Sequence, residues 1–420
     1  MTVFRSPSYT PPMKTAPILL AGLALALASC AAVPATPPAD SAPGESGAVL
    51  TAGAAAPATP KLSAGDEAAI RAAVALRARA VAEGDKALYL SLLAPGDPAF
   101  LLEQSRWFDY RLSAVLSEFS LEVESLEASG PEECAVALRQ RYLYGPNGEA
   151  RDCRFVQLYR KVGETWLDAD IAFRTLQSGH MEVRYDEGVD ELRAARILAD
   201  AEKAWSTVRD SYGEAPARRT VVKLFSTQEL LRQNTKITIG RLFNGWGEPG
   251  ESIKLFVRPD PSRSYVPVLA HELVHVVTLE TSKNLCSWFA EGLANRFGNF
   301  AVLGGTYLDS GYHKASEYDR GVRWLGSVDP EAVDDEYEWG IYGGMSGAVV
   351  GFMAERYGAD SPRAVVRALA SYPRVEEGYV YAEHDALFRG YLDGAMKTAL
   401  GVGLEEFDRA WREWIRSRAK

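Results

Sequence analysis

Apolar residues return at near-helical spacing from Asp66 onward, at Ala69, Ile70, Ala73, Val74, Leu76, Ala80 and Val81, and the run stops at Gly84-Asp85. That spacing predicts a helix. A second helical stretch follows from Leu101 to Leu116. The period then shortens to two, which predicts strands at Ser120–Leu126, Cys134–Tyr144 and Arg154–Lys161 and a closing run at Glu164–Asp168. A new unit opens near Gln177, with a strand at Met181–Tyr185, an amphipathic helix at Val189–Tyr212, a strand at Thr220–Phe225 and a helix at Thr227–Gln233. Ser252–Arg258 alternates like a half-buried or edge strand and is stopped by Pro259 and Pro261. A helix from Val266 to Leu279 follows, with Pro267 in its first turn and Ser264 as candidate cap. The elements mix helices and strands without a repeat, which predicts an α+β fold.

The first residues read differently. After Lys14, the run from Ala16 to Leu27 is apolar and about twelve residues long, the length of a signal-peptide core and too short to span a bilayer. It leads into Leu27-Ala28-Ser29-Cys30, which resembles a lipobox with Cys30 as the acylated residue. That resemblance implies a bacterial lipoprotein of the cell envelope. Ala31 in place of an aspartate favours the outer over the inner membrane in a Gram-negative host. Residues 31 to 64 are rich in Ala, Pro, Gly, Ser and Thr and poor in large apolar residues, so they read as a tether.

Composition narrows the function classes. With 47% hydrophobic and 24% charged residues the chain can bury a core, and a formal charge of −10 leaves no basic stripe for nucleic acid. An exported protein can keep a disulfide, and Cys134 with Cys153 is the natural pair. Their offsets from the Gly145–Gly148 turn are unequal, so the pairing stays open.

The chemistry lies in His271-Glu272-Leu273-Val274-His275. Residues four apart share a helical face, so both imidazoles can turn to one ion while Glu272 points to a water beside it. Thirteen residues after His275 begins Trp288-Phe289-Ala290-Glu291-Gly292-Leu293-Ala294, which offers Glu291 as a third ligand. A catalytic zinc takes three protein ligands and keeps one position open. Two satisfied histidines and a solvated glutamate are the bland alternative. Against it, Glu291 sits among Trp288, Phe289 and Leu293, where an unpaired carboxylate is costly.

Together these two segments resemble the gluzincin zinc metallopeptidases, in particular the peptidase MA-like group, whose second motif has the form W-x-x-E-G-x-A. The resemblance covers roughly residues 180 to 420. It implies zinc held by His271, His275 and Glu291, with Glu272 as general base and peptide or protein as substrate. It also implies an oxyanion-stabilising residue, for which Tyr342 beside Gly343-Gly344 is the first candidate and Tyr312 and His313 the reserves. The tract departs from relatives in two places: Cys286 stands where a proline is common, and Asn295 where a thermolysin-like aspartate would orient a histidine. No G-x-M-E-N exopeptidase motif is present, which points to an endopeptidase. An extended substrate could add as a strand along Ile253–Val257.

The expected organisation is a lipoprotein signal peptide at 1–29, a disordered tether at 30–64, and an α+β domain at 65–176 whose element order resembles the nuclear-transport-factor-like cone. A metallopeptidase catalytic subdomain at 177–300 and a helical C-terminal subdomain at 301–420 follow. The competing reading is a lipid-anchored binding or scaffold protein with a catalytically silent metallopeptidase fold.

Overall fold

The computed structural model describes residues 61–237, 244–304, 320–328, 336–374 and 381–418, with positions 313, 315 and 333 between them. The expected signal peptide, Cys30 and nearly all of the tether lie outside the described residues, as does Tyr312. Among the described residues no helix is long and apolar enough to cross a membrane. The fold is mixed α+β, with two sheets followed by a helical C-terminal region.

Helix α1 (Ala64–Glu83) starts where the Ser63 hydroxyl accepts from Asp66 N and ends where Gly84 turns left-handed at φ 73°. Two further helices, α2 (Lys86–Ser91) and α3 (Pro98–Ser113), follow, with Asp97 capping α3. A four-stranded antiparallel meander comes next: β1 (Leu116–Gly130), β2 (Glu133–Tyr144), β3 (Glu149–Val162) and β4 (Thr165–Ile171), in that order. Along β2, Cys134, Val136, Leu138, Gln140 and Tyr142 face inward and are buried, which is the period-two pattern expressed as packing. The register pairs Cys134 with Tyr159 and Gln140 with Cys153, so the two cysteines stand six pairs apart, about 20 Å along the ladder. Both thiols are free and buried. The considered disulfide does not form.

The second sheet has the order β5 (Arg174–Gln177), β6 (Met181–Tyr185), β7 (Thr220–Phe225), β9 (Ile253–Phe256) and β8 (Gly245–Trp246). Its three middle strands are parallel, because the long helix α4 (Glu191–Tyr212) carries the chain back between β6 and β7. Ile253–Val257 is therefore not an edge. The chain's own β8 pairs with β9 and takes the place where an added strand was expected. Lys254, inside this strand, is 1% exposed, its ammonium 2.5 Å from Glu251.

Each face of this sheet meets a different layer. Val222, Leu224, Ile253 and Leu255 belong to the large core built with α4 and with α6 (Val266–Thr281). Phe225, with Leu230 and Leu231 of α5 (Gln228–Gln233), instead joins Ile70, Val74, Val136, Leu138 and Phe155 of the N-terminal elements. Residues 65–176 thus supply one of the two layers around the second sheet, and the described residues belong to one compact unit.

Past α6 come α7 (Ser287–Ala294), a π-helical turn at Asn295–Asn299, α8 (Phe300–Leu303) and α9 (Val322–Leu325). Three long helices and a short one close the fold: α10 (Glu336–Tyr357), α11 (Ser361–Leu369), α12 (Tyr381–Leu400) and α13 (Leu404–Arg418). The sequence around Ser346 to Tyr357 reads as a helix, and α10 begins ten residues earlier, at Glu336. Gly343 and Gly344 are inside it.

Candidate metal centre

Helix α6 is apolar nearly all round, with Leu269, Ala270, Leu273, Val274 and Val277 buried, and its start is held from outside. Tyr265 N donates to Asp200 of α4 at 2.6 Å. Ser264, the expected cap, accepts from Val266 N at 3.3 Å and itself donates to Asp200 at 3.2 Å. A carboxylate there also complements the positive end of the helix dipole. One turn apart on this fixed helix, the Nε2 atoms of His271 and His275 stand 3.2 Å from each other.

Glu291 arrives on α7, whose first turn rests on the buried Cys286 as N-cap. Cys286 is thus a packed residue at a helix start, outside the group of potential ligands. The glycine after Glu291 has a structural reason. A Cβ on Gly292 would lie 2.5 Å from the Ser346 carbonyl oxygen, so only glycine lets α7 press this closely on α10. Glu291 Oε2 then lies 3.4 Å from His271 Nε2, and Oε1 lies 3.5 Å from His275 Nε2.

Three ligands at about 2.0–2.1 Å from one tetrahedral ion stand about 3.3–3.4 Å apart. Here the two imidazole nitrogens stand 3.2 Å apart and the carboxylate presents a different oxygen to each, at 3.4 and 3.5 Å; one ligand atom from each of the three residues lies within 4.8 Å of the others. The donor set therefore fits a metal ion both in spacing and in chemistry. Among the described residues, His271, His275 and Glu291 form the one group of three or more such side chains that could hold one.

Burial and charge shape the titration of these groups. Desolvation works against the Glu291 carboxylate, but its contacts with His271 and His275 outweigh that and hold it well below the usual range. Burial favours neutral His275, yet Glu291, then Glu272 and Glu248, raise its pKa. Glu272 goes the other way: burial pushes its carboxyl up, against the pull of the two imidazoles and with a small addition from Glu291. Glu272 is 6% exposed. The β8 arm runs alongside it, since a Cβ on Gly245 would lie 2.8 Å from one Glu272 oxygen and a Cβ on Gly247 3.0 Å from the other.

Asn295 does not orient a histidine. Its amide oxygen accepts from Asn299 Nδ2 at 2.8 Å, and its own Nδ2 donates to the Gly343 carbonyl at 3.1 Å. Asn299 is the residue that meets the site, its Nδ2 atom 3.1 Å from His271 Nδ1. The π-helical turn carries both asparagines, and its Gly298 lies against α6, where a Cβ would stand 2.6 Å from His271 N. Tyr342 is 1% exposed, stacked on Trp339 with ring centroids 5.6 Å apart, and one residue from the carbonyl that closes this hydrogen-bond chain. His313 is exposed. Sequence reading passed over Gly245, Gly247, Gly298 and Asn299; the pair of glycines around Trp246 was the available signal.

No family model and no curated protein match this chain. Among solved structures it is similar to an M1 zinc metallopeptidase from Deinococcus radiodurans, a mutant bound to a Tyr-Ser-Ala substrate. The TM-score is 0.31 and the identity 14%, over 72% of this chain. The chain spans 61% of the length of that protein, and at this TM-score the likeness carries no argument about the site.

Proposed function

We propose that this protein is a zinc-dependent peptidase, an endopeptidase anchored in the bacterial envelope through Cys30. The observation that carries the activity is the convergence of His271, His275 and Glu291, with the buried carboxylate of Glu272 in the adjoining position of α6. The anchor rests on the Leu27–Cys30 tract alone.

A bound zinc ion would supply the Lewis acidity that polarises a carbonyl and makes water nucleophilic near neutral pH. Everything else falls to the chain. His271, His275 and Glu291 would hold the ion; with His271 Nε2 on it the ring proton is on Nδ1, and the Asn299 side-chain amide would fix the ring by turning its oxygen to accept that proton. Glu272 takes the proton of the attacking water on a carboxylate oxygen and passes it to the leaving amine. Gly245 and Gly247 leave room for backbone beside that carboxylate. An extended peptide laid against β8, the end strand of the described sheet, would bring its scissile bond to Glu272.

The test is metal content by mass spectrometry on purified residues 31–420, with casein hydrolysis on the same samples. The expected result is about one zinc per chain, lost together with hydrolysis in Glu291→Ala. In Glu272→Gln, zinc should stay while hydrolysis falls by roughly 10²–10⁴-fold. Zinc without hydrolysis in the unaltered protein would turn the reading toward the scaffold, and absence of zinc under metal-replete conditions would end it.

A further inference from the structure

The strand arm beside Glu272 belongs to a hairpin whose far end is gripped by the N-terminal layer. β8 continues through Gly247 into the turn Glu248-Pro249-Gly250-Glu251, closed by Glu251 N donating to Glu248 O at 3.1 Å, and returns as β9. Pro249 and Gly250, the latter at φ 81°, occupy the two positions that a type II turn assigns to proline and glycine.

Helix α3 meets this tip with one face. Arg106 donates to Pro249 O at 2.9 Å and pairs with Glu251 at 2.8 Å. Glu103 accepts from Ser252 N at 2.9 Å and from its hydroxyl at 2.5 Å. Leu102 packs so near Gly250 that a Cβ there would lie 3.1 Å from it. Arg106 and Glu251 are 10% and 4% exposed at the side chain, so the pair is shielded from solvent and its geometry is specific. Behind it, Lys254 pairs with Glu251 at 2.5 Å, and Lys223 pairs with Glu103 at 2.6 Å.

We infer that Arg106 and Glu103 are positioning residues for the candidate site: from the N-terminal layer they fix the β8–β9 hairpin, and through it the Gly245–Gly247 arm that borders Glu272. This rests on the peptidase reading for its functional consequence, though not for the clamp itself. Residues 65–176 thereby gain a role in substrate seating without touching the three ligand-type residues. Loosening the tip should cost substrate affinity more than turnover, because the hairpin is neither a ligand nor a base.

Hydrogen–deuterium exchange and steady-state kinetics on the intact chain test this. Arg106→Ala leaves Glu251 its Lys254 partner, so the fold has a substitute ion pair. Amides 245–252 should exchange about tenfold faster in this variant, while those of α6 are unchanged. KM for a peptide substrate should rise about five- to tenfold, with kcat and zinc content within about twofold. Arg106→Lys, which can still reach Glu251, should recover most of the change. Gly250→Ala attacks the tip from the other side and should reproduce it. Unaltered exchange at 245–252 in both Arg106→Ala and Gly250→Ala would overturn the clamp, as would parallel loss of kcat and zinc. Faster exchange in a protein that shows no hydrolysis to begin with would uphold the clamp and count against the peptidase reading.

Discussion

At the scale of single residues, two glycines do work that their neighbours in sequence do not announce. Gly292 allows α7 to reach α10, and Gly298 allows the π-helical turn to reach the backbone of His271. A methyl at Gly298 would meet Ala270 C and His271 N and Cα at 2.6–2.8 Å, all of them backbone atoms that cannot swing aside. Gly298→Ala is therefore expected to cost about 1–3 kcal/mol of stability by overpacking, and to weaken metal binding at least about tenfold by displacing His271. A thermal melt and a competitive metal titration check the two parts. The pairing of His271 with His275 could be read ahead of the structure because both lie within one helix, where spacing sets the face; Glu291, on another helix, is read from the resemblance of its segment. Asn299 could not be, since its distance to His271 Nδ1 depends on a widened helical turn packing on another helix.

At the scale of elements, the link between the β5–β6 turn and α4 shows how a few hydrogen bonds set a pH dependence. Glu202 of α4 accepts from Ser178 Oγ at 2.5 Å and His180 N at 2.8 Å, and its other oxygen is 2.8 Å from His180 Nδ1. Burial alone would raise its pKa from the ordinary 4.5, but these contacts outweigh it and pull the value down to about 2. A carboxylate depressed in the folded state stabilises above its unfolded pKa, and that contribution fades as the pH falls through the folded one. Glu202→Gln should accordingly lower stability by about 1–2 kcal/mol near neutral pH. The difference from the unaltered protein should close between about pH 4.5 and pH 2, as followed by denaturant unfolding at stepped pH. Most helices and strands of the described chain are visible in the periodicity, because one buried face repeats along each. The two-residue β8 and the early start of α10 are not. Two residues show no period, and the glycines of α10 mark close helix contacts rather than a break.

At the scale of the whole molecule, the second sheet is covered on one face by helices, among them the α6 that holds His271 and His275, and on the other by the N-terminal layer. Trp107 Nε1 donates to Gln233 O at 2.6 Å, Gln140 donates to Gln233 at 2.6 Å, and Lys223 lies between Glu103 and Asp170. Cutting the chain to 177–420 would bare Phe225, Leu230 and Leu231 and strip both carboxylates from Lys223. Leaving an otherwise buried Phe or Leu side chain in water forfeits about 1.5–3 kcal/mol, so these three together are a large part of the stability of an ordinary domain. The fragment is expected to lack a cooperative melt and to bind no zinc stoichiometrically. Circular dichroism on heating, beside residues 61–420, gives the comparison, and a sharp transition in the fragment would contradict it.

The amino-acid order by itself determined most element types, the one-turn spacing of His271 and His275 and the place of Glu272 beside them, because these depend on periods of two and 3.6 within short segments. Tertiary structure decided which strand forms the edge, which amide meets His271, why Lys223 and Lys254 are buried, and that Cys134 and Cys153 stay apart. Those outcomes turn on contacts between residues far apart in the chain, where the partner's position, and not the residue's own pattern, sets the energy.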